Sequence, residues 1–340
     1  MTRTAKRRFS RELSSIVDGI ALGPNGPVFV HMYDPPAGDV WMDDVIPGKL
    51  AALDRNTGEV VWTSPCEVGY GRGFGAGLGA EQDVVVLGPG SRGHLIARMA
   101  LADGKLLGAG EIEAFDEAHV FKDVAITVTP RQVIAYDART AKENWQYSRS
   151  GERYHHLARA GNRIYVAYTH ETNKKQGVLW LDVQNGEYQG DVLTPKLPVI
   201  HGLVVNADGL VVLTRDLASV LPREVMPQFM IALSKKSEGR GDSLSLLALT
   251  LTSTPGEAPL WFDILSTAGR DELPDVSIAS DSGKLYVANG ALIEVRDTLT
   301  GRKLDEWAVP GLDESVAWQV CSGACLVAEE SRASVFELPA

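Results

Sequence analysis

The chain has 340 residues and a formal net charge of -11, from 44 acidic against 33 basic side chains. That balance excludes a general nucleic-acid binder, because neutralising phosphates requires a basic face. No apolar stretch approaches the ~20 residues that span a bilayer, and the N-terminus lacks the ~7–15-residue apolar segment of a secretory signal, so a cytoplasmic protein without a membrane span is expected.

From the N-terminus onward, Arg3, Lys6, Arg7, Arg8 and Arg11 form a local basic exception. Residues 1–5 read as a flexible, solvated leader, and residues 6–13 as a strand. Apolar, β-branched runs then recur along the chain: VFVHMY (28–33), DVVVLG (83–88), VAITVTP (124–130), RIYVAY (163–168), GLVVLT (209–214) and KLYVAN (284–289). Each is followed by a turn, a strand ending in an aspartate segment, a second turn and a short strand. The best aspartate segment is ALDRNTGEVVW (52–62), echoed closely by AYDARTAKENW (135–145). Weaker echoes are RMALADGKLLG (98–108), WLDVQNGEYQG (180–190), LALTLTSTPGEAPLW (247–261) and EVRDTLTGRKLDEW (294–307). A unit recurring roughly every 35–65 residues has the spacing of a four-stranded propeller blade with variable loops.

Blades are expected over 16–63, 76–112, 117–148, 154–193, 199–265 and 274–309. Residues 315–340 supply only three more strands, and the N-terminal strand completes this seventh blade as its outermost strand, removing an open edge. The expectation is an all-β, seven-bladed propeller forming one domain over 1–340, with six or eight blades as alternatives and little helix outside 216–236. Asp54 and Asn56 hold the turn by side-chain-to-backbone bonds, Gly58 tolerates positive φ, and the Trp62 ring fills the wedge between neighbouring blades.

The pattern at Ala52, Asp54, Thr57, Gly58 and Trp62, repeated at Ala135, Asp137, Thr140 and Trp145 with Ala141 in place of glycine, resembles the tryptophan-docking repeat of the quinoprotein-dehydrogenase-like (PQQ-like) β-propellers. The resemblance implies the fold and is nearly silent on activity. The catalytic members of that superfamily use adjacent cysteines beside the quinone, with a metal and a catalytic aspartate. Here Cys66, Cys321 and Cys325 are never adjacent, so no quinone or other cofactor is expected. The resemblance implies instead a non-enzymatic scaffold that binds a protein or peptide on a propeller face. Cys321 and Cys325 flank a tight turn at Ser322-Gly323 and read as buried thiols.

Inner strands line the axis of a propeller, so a set of candidate catalytic residues converges there: His119, His155, His156, His201, Asp18 and Asp275, with Arg72, Trp318 and Gln319 completing the ring. Imidazoles suit a divalent metal, with His119, His156 and His201 as candidate ligands, and a His/Asp set suits acid-base work. This supports two alternatives: a metal-assisted lyase or hydrolase, and small-ligand binding in the central channel. The histidines equally serve as strand caps. YGRGFGAGLG (70–79) lacks the following helix of a phosphate-binding loop and reads as a small-residue inner strand packed closely on its neighbour. The run from Asp54 to Gly58 lacks the distal glutamate of a calcium loop and is a turn.

Two insertions, 31–49 and 215–242, interrupt blades between their second and third strands and are expected on one face. The first holds Asp34, Asp39, Asp43 and Asp44 around Trp41. The second offers Val220, Leu221, Val225, Met226, Phe229, Met230 and Ile231, an adaptable apolar set. Trp41, Met226, Phe229 and Met230 are the candidate partner contacts.

Overall fold

The local rule of the fold is visible at Asp54. Its Oδ1 accepts from the Asn56 amide (2.9 Å), the Thr57 amide (2.8 Å) and the Thr57 hydroxyl (3.1 Å), and Gly58 closes the turn at φ +72. Asp137 with Thr140 and Asp297 with Thr300 repeat the arrangement. At the Asp137 turn Ala141 takes the positive φ, 55°, where the other two carry glycine. The aspartate thus satisfies amides that a tight hairpin would leave unpaired, which is why it recurs at this turn in four of the units, as Asp54, Asp137, Asp182 and Asp297.

A computed structural model describes residues 2–23, 26–35, 46–71, 73–91, 93–206, 209–236, 242–268 and 276–338, with backbone alone for 242–243 and 266–268. Two strands come first, β1 (Arg3–Thr4) and β2 (Lys6–Glu12). Blade one comprises β3 (Ile16–Leu22), β4 (Val28–Tyr33), β5 (Ile46–Leu53) and β6 (Val60–Tyr70). Blade two comprises β7 (Gly75–Leu78), β8 (Asp83–Gly90), β9 (Gly93–Ala100) and β10 (Leu106–Ile112). Blade three comprises β11 (Glu117–Phe121), β12 (Val124–Val128), β13 (Val133–Asp137) and β14 (Glu143–Tyr147). Blade four comprises β15 (Glu152–Ala160), β16 (Arg163–His170), β17 (Lys175–Asp182) and β18 (Tyr188–Leu197). Blade five comprises β19 (Ile200–Val205), β20 (Gly209–Arg215), β21 (Asp242–Thr250) and β22 (Trp261–Ala268), with the helix α1 (Met226–Lys236) inside it. Blade six comprises β23 (Val276–Asp281), β24 (Lys284–Asn289), β25 (Leu292–Asp297) and β26 (Lys303–Ala308), and blade seven β27 (Ala317–Cys321), β28 (Ala324–Glu329) and β29 (Arg332–Glu337).

The fold is an all-β, seven-bladed propeller, as the repeat predicts. The N-terminal strand completes blade seven: β2 pairs antiparallel with β29, Phe9 facing Val335 and Ser10 facing Ser334. Of the residues read as a leader, Arg3 and Thr4 form a fifth strand on the outer edge of blade six, where Arg3 pairs with Asp305 at 3.2 Å and stacks over the Trp307 ring. No helix among the described residues is long and apolar enough to cross a membrane.

The chain divides into two compact units. One, with Thr4–Thr129 and Val309–Ala340 as its main segments, carries blades one, two, three and seven; the other, with Tyr147–Ala308 as its body, carries blades four, five and six. In the first unit Phe29, Leu50, Trp62, Val84 and Met99 share one core between blades one and two. Val85, Leu87, Ala125 and Ile134 fill the next, between blades two and three. In the second unit Tyr165, Val178, Leu210, Leu247 and Ile264 pack blade four on blade five. Second and third strands bury both faces, which explains their unbroken apolar runs.

Blades are fastened at the aspartate turns. Trp62 Nε1 donates to Leu101 O of blade two at 3.0 Å, and Trp261 Nε1 donates to Thr298 O of blade six at 2.7 Å. Phe9 on β2 takes the same place against blade one, so close to Gly58 that a Cβ there would lie 2.6 Å from Cγ of the ring. Arg55 adds a polar fastening, donating to the carbonyls of Gly23 and Cys321.

Candidate functional site

The insertion on blade five leaves the end of β20 through Asp216, held at φ 47, whose side chain accepts from the Ala218 amide at 3.3 Å. A short 3-10 turn, Leu217–Ser219, follows; Leu217 is fully buried and Ser219 Oγ donates to Lys196 O at 3.1 Å. The chain then forms α1. Pro227 is tolerated because first-turn amides have no intrahelical partner, and Lys235 and Lys236 lie at the C-terminal end, where the helix dipole favours cations.

Phe229, read from the sequence as a partner contact, is instead the anchor of this helix. It is buried against Phe262 at 5.9 Å in a T-shaped contact, because its position on α1 faces blade five. Met226 is half-buried and packs on the same core with Val225 and Leu233. The opposite face presents Pro227, Met230, Ile231 and Ser234 to solvent; Met230 is 54% and Ile231 56% exposed. Lys236 fixes the far end by donating to Asp263 and to the Ile264 carbonyl. Where the chain leads into the helix, Leu193, Thr194, Lys196, Val220, Leu221 and Pro222 line a cavity of about 280 Å³ of mixed polar and apolar character.

In the first insertion Asp39, Trp41, Asp43 and Asp44 lie outside the described residues, as do Arg72 and Asp275 of the expected axial ring. Asp34 is bound locally, accepting from Ser15 at 2.5 Å and from Lys49. Both insertions interrupt their blades between second and third strands.

The remaining axial candidates are engaged locally. In the first unit Asp18 Oδ2 lies 3.3 Å from Nδ1 of the fully buried His31, whose Nε2 donates to Val68 O at 3.0 Å. His119 Nε2 meets Glu117 Oε1 at 2.7 Å and its ring stacks on Phe121. Gln319 accepts from the Leu22 amide at 2.8 Å, and Trp318 is half-buried on β27. In the second unit His155 Nε2 meets Thr169 Oγ1 at 3.1 Å, His156 sits at φ 50 in a bulge of β15, and His201 Nε2 accepts from Arg215 Nε at 3.1 Å. Among the described residues no three His, Cys, Asp or Glu side chains are grouped as a metal would require. Alternate residues of a strand point to opposite faces, and the bulge at His156 shifts that register within β15.

The residues do not fit a quinone site either. Cys66 lies on β6 and Cys325 on β28, both buried, and burial pushes their thiols up to about 11 and about 12. The Gly-rich strand is a packing device: a Cβ at Gly75 or Gly77 would lie 2.8 Å from the Cβ of Ala118 or Val120 on the neighbouring inner strand. Sequence reading missed His31, the polar residue of the otherwise apolar VFVHMY run, and Phe9, whose strand lacks the tryptophan carried by the outer strands of blades one, three, five and six.

Residues 47–196, from the third strand of blade one to the outer strand of blade four, match the family described as "PQQ_2: Outer membrane protein assembly factor BamB". Among solved structures, BamB from Moraxella catarrhalis is 12% identical, with a TM-score of 0.51 over 98% of this chain and 100% of that one. The computationally designed Ika8 protein is 12% identical, with a TM-score of 0.53 over 98% and 99%. At such identity the structural likeness speaks for the fold alone. No curated protein matches the chain significantly. The aspartate turns and the docking tryptophans belong to a seven-bladed propeller of which residues 47–196 are similar to the BamB-like PQQ-repeat family.

Proposed function

We propose that this protein is a non-enzymatic scaffold that binds a protein or peptide partner through the blade-five insertion. The observation that carries the reading is the division of labour on α1. Phe229 is sunk in the core and holds the helix, while Met230 and Ile231 are more than half exposed on its outer face. Exposed neighbouring apolar side chains on a fastened helix are the geometry with which a helix enters a partner's groove, and methionine adapts to varied surfaces. The cavity beside Val220 and Pro222 offers a complementary recess for a partner's side chain. The family described as an outer membrane protein assembly factor supports a role in assembly over catalysis.

The test is crosslinked co-purification from the native cell with wild-type protein and with Met230→Asp/Ile231→Asp. A partner held by wild type and lost, at least tenfold, by the folded double variant supports the reading. Equal recovery by both proteins overturns it.

A further inference from the structure

Asp18 is the bulged residue of β3: the pairing with β4 passes from Val17 facing Met32 to Gly19 facing His31 and skips it. A bulge re-aims a side chain, and this one brings Asp18 Oδ2 within 3.3 Å of Nδ1 of His31. His31 is fully buried, in the otherwise apolar run of β4. Glycines make the room for it. A Cβ at Gly48 on β5 would lie 2.5 Å from Nε2 of the ring and 2.0 Å from Val68 O. A Cβ at Gly19 would lie 2.1 Å from Cε1 of Phe74, the ring that stacks on His31 at 4.9 Å. Bulge and glycines together shape this end of blade one around the imidazole.

The hydrogens on that ring decide its charge. Val68 O only accepts, so Nε2, 3.0 Å away, carries a hydrogen. A neutral ring would then turn the Nδ1 lone pair toward the lone pairs of a carboxylate, and neither Nδ1 nor Oδ2 meets any other polar partner among the described residues. Facing acceptors shut away from water are costly. A second ring hydrogen removes the conflict, giving Oδ2 a donor and pairing opposite charges. Phe74, stacked at 28° to the imidazole, offers its face to the resulting cation. Around the pair stand Tyr33 and Tyr70, Cys66 on β6, which faces Gly48, and Glu330. Burial above all holds the Tyr33 hydroxyl up, and burial pushes the Cys66 thiol up to about 11, so both stay neutral. The nearby Lys49 is engaged by Asp34.

We propose that Asp18 and His31 form a buried carboxylate–imidazolium pair, a proton-dependent clamp that ties the inner strand of blade one to β4 and, through Val68 O, to β6. The folded chain keeps this proton where an unfolded histidine, with an ordinary value of about 6.5, has released its own. The native state then binds more protons than the unfolded one, so the clamp's contribution is full at lower pH and declines as pH rises. Because Nε2 is committed to a carbonyl, the ring serves as a clamp and not as a base for an outside substrate.

Nitrogen-15 spectra of the full chain labelled at histidine, with His31 assigned through its own backbone, test the pair. At about pH 7.5 both ring nitrogens of His31 are expected to be protonated in wild type, where an ordinary histidine is mostly neutral. Asp18→Asn keeps the shape of the side chain and offers an amide N–H to Nδ1, so its His31 is expected to be neutral, with Nε2 alone protonated. Melting temperatures give an independent reading. The margin of wild type over Asp18→Asn is expected to shrink from about pH 6 to about pH 8.5, because wild type loses stability with rising pH and the neutral ring of the variant does not. An unprotonated Nδ1 in the wild-type spectrum overturns the proposal whether or not the variant folds. A doubly protonated His31 in Asp18→Asn, or a margin that holds or widens as pH rises, overturns it as well.

Discussion

The indole of Trp62 lies so close to Gly104 of the neighbouring blade that a Cβ at that glycine would sit 2.7 Å from Cζ3 of the ring. Gly104 also holds φ +69, and Ser64 Oγ would be 2.6 Å from the same added carbon. The docking tryptophan of one blade and the turn glycine of the next are therefore a single device. Blade three shows its converse. There the turn carries Ala141, and the facing position on the outer strand of blade two is Gly110, where an added Cβ would clash with the Ala141 methyl. Where the ring is missing, a methyl is admitted.

Gly104→Ala is accordingly expected to destabilise the protein by about 2–4 kcal/mol, combining left-handed backbone strain with overpacking against the indole. Gly108→Ala, where an added Cβ meets nothing within 4 Å, is expected to stay within about 0.5 kcal/mol of wild type. Denaturant melts of the two variants check the difference. Equal midpoints would show that the docking contact does not set the turn.

The two roles on α1 separate by truncation. Phe229→Ala removes a buried ring and is expected to cost about 3–5 kcal/mol of local stability, seen as faster proteolysis within 216–236. Met230→Ala removes an exposed side chain and is expected to change stability by less than about 0.5 kcal/mol. Protease sensitivity of Met230→Ala equal to that of Phe229→Ala would remove the distinction between anchor and presented face.

The cysteines order by burial. Cys321 is partly exposed, whereas Cys66 and Cys325 are buried, with thiols pushed up to about 11 and about 12. In native protein near pH 8 one thiol is expected to react promptly with a disulfide reagent and two only after denaturation, since the thiolate is the nucleophile. Three fast thiols would contradict the packing around β28.

The turn aspartates make stability sensitive to acid. Asp54 is held below the usual carboxylate value by the Thr57 and Asn56 amides, and Asp297 by the Thr300 hydroxyl and amide. At Asp137 burial acts upward, but bonds from Thr140 and Arg139 outweigh it. Because the folded values lie below the unfolded ones, the stabilisation is full above about pH 4 and is lost as pH falls through the folded values. Glu152 acts in the opposite sense: burial raises it against the pull of Arg149, so its contribution is present at low pH and lost as pH rises through its folded value. Melting temperature is expected to fall as the pH drops below about 4, and less steeply in Asp54→Asn/Asp297→Asn. Parallel slopes would place the acid sensitivity elsewhere.

The sequence by itself determined the blades, their number, the N-terminal closing strand and the place of both insertions within their blades. Each rests on local physics: the aspartate turn satisfies its own amides, alternation and apolar runs set the strands, and Gly75 and Gly77 announce close packing. Tertiary structure decided what each side chain meets. It sank Phe229 and left Ile231 exposed, turned Asp18 toward the buried His31, and kept the histidines on separate local partners. Such outcomes depend on register, a bulge at His156 and the pitch of one helix. A one-residue change in register exchanges the faces of a strand, and a sequence pattern does not carry that information across blades.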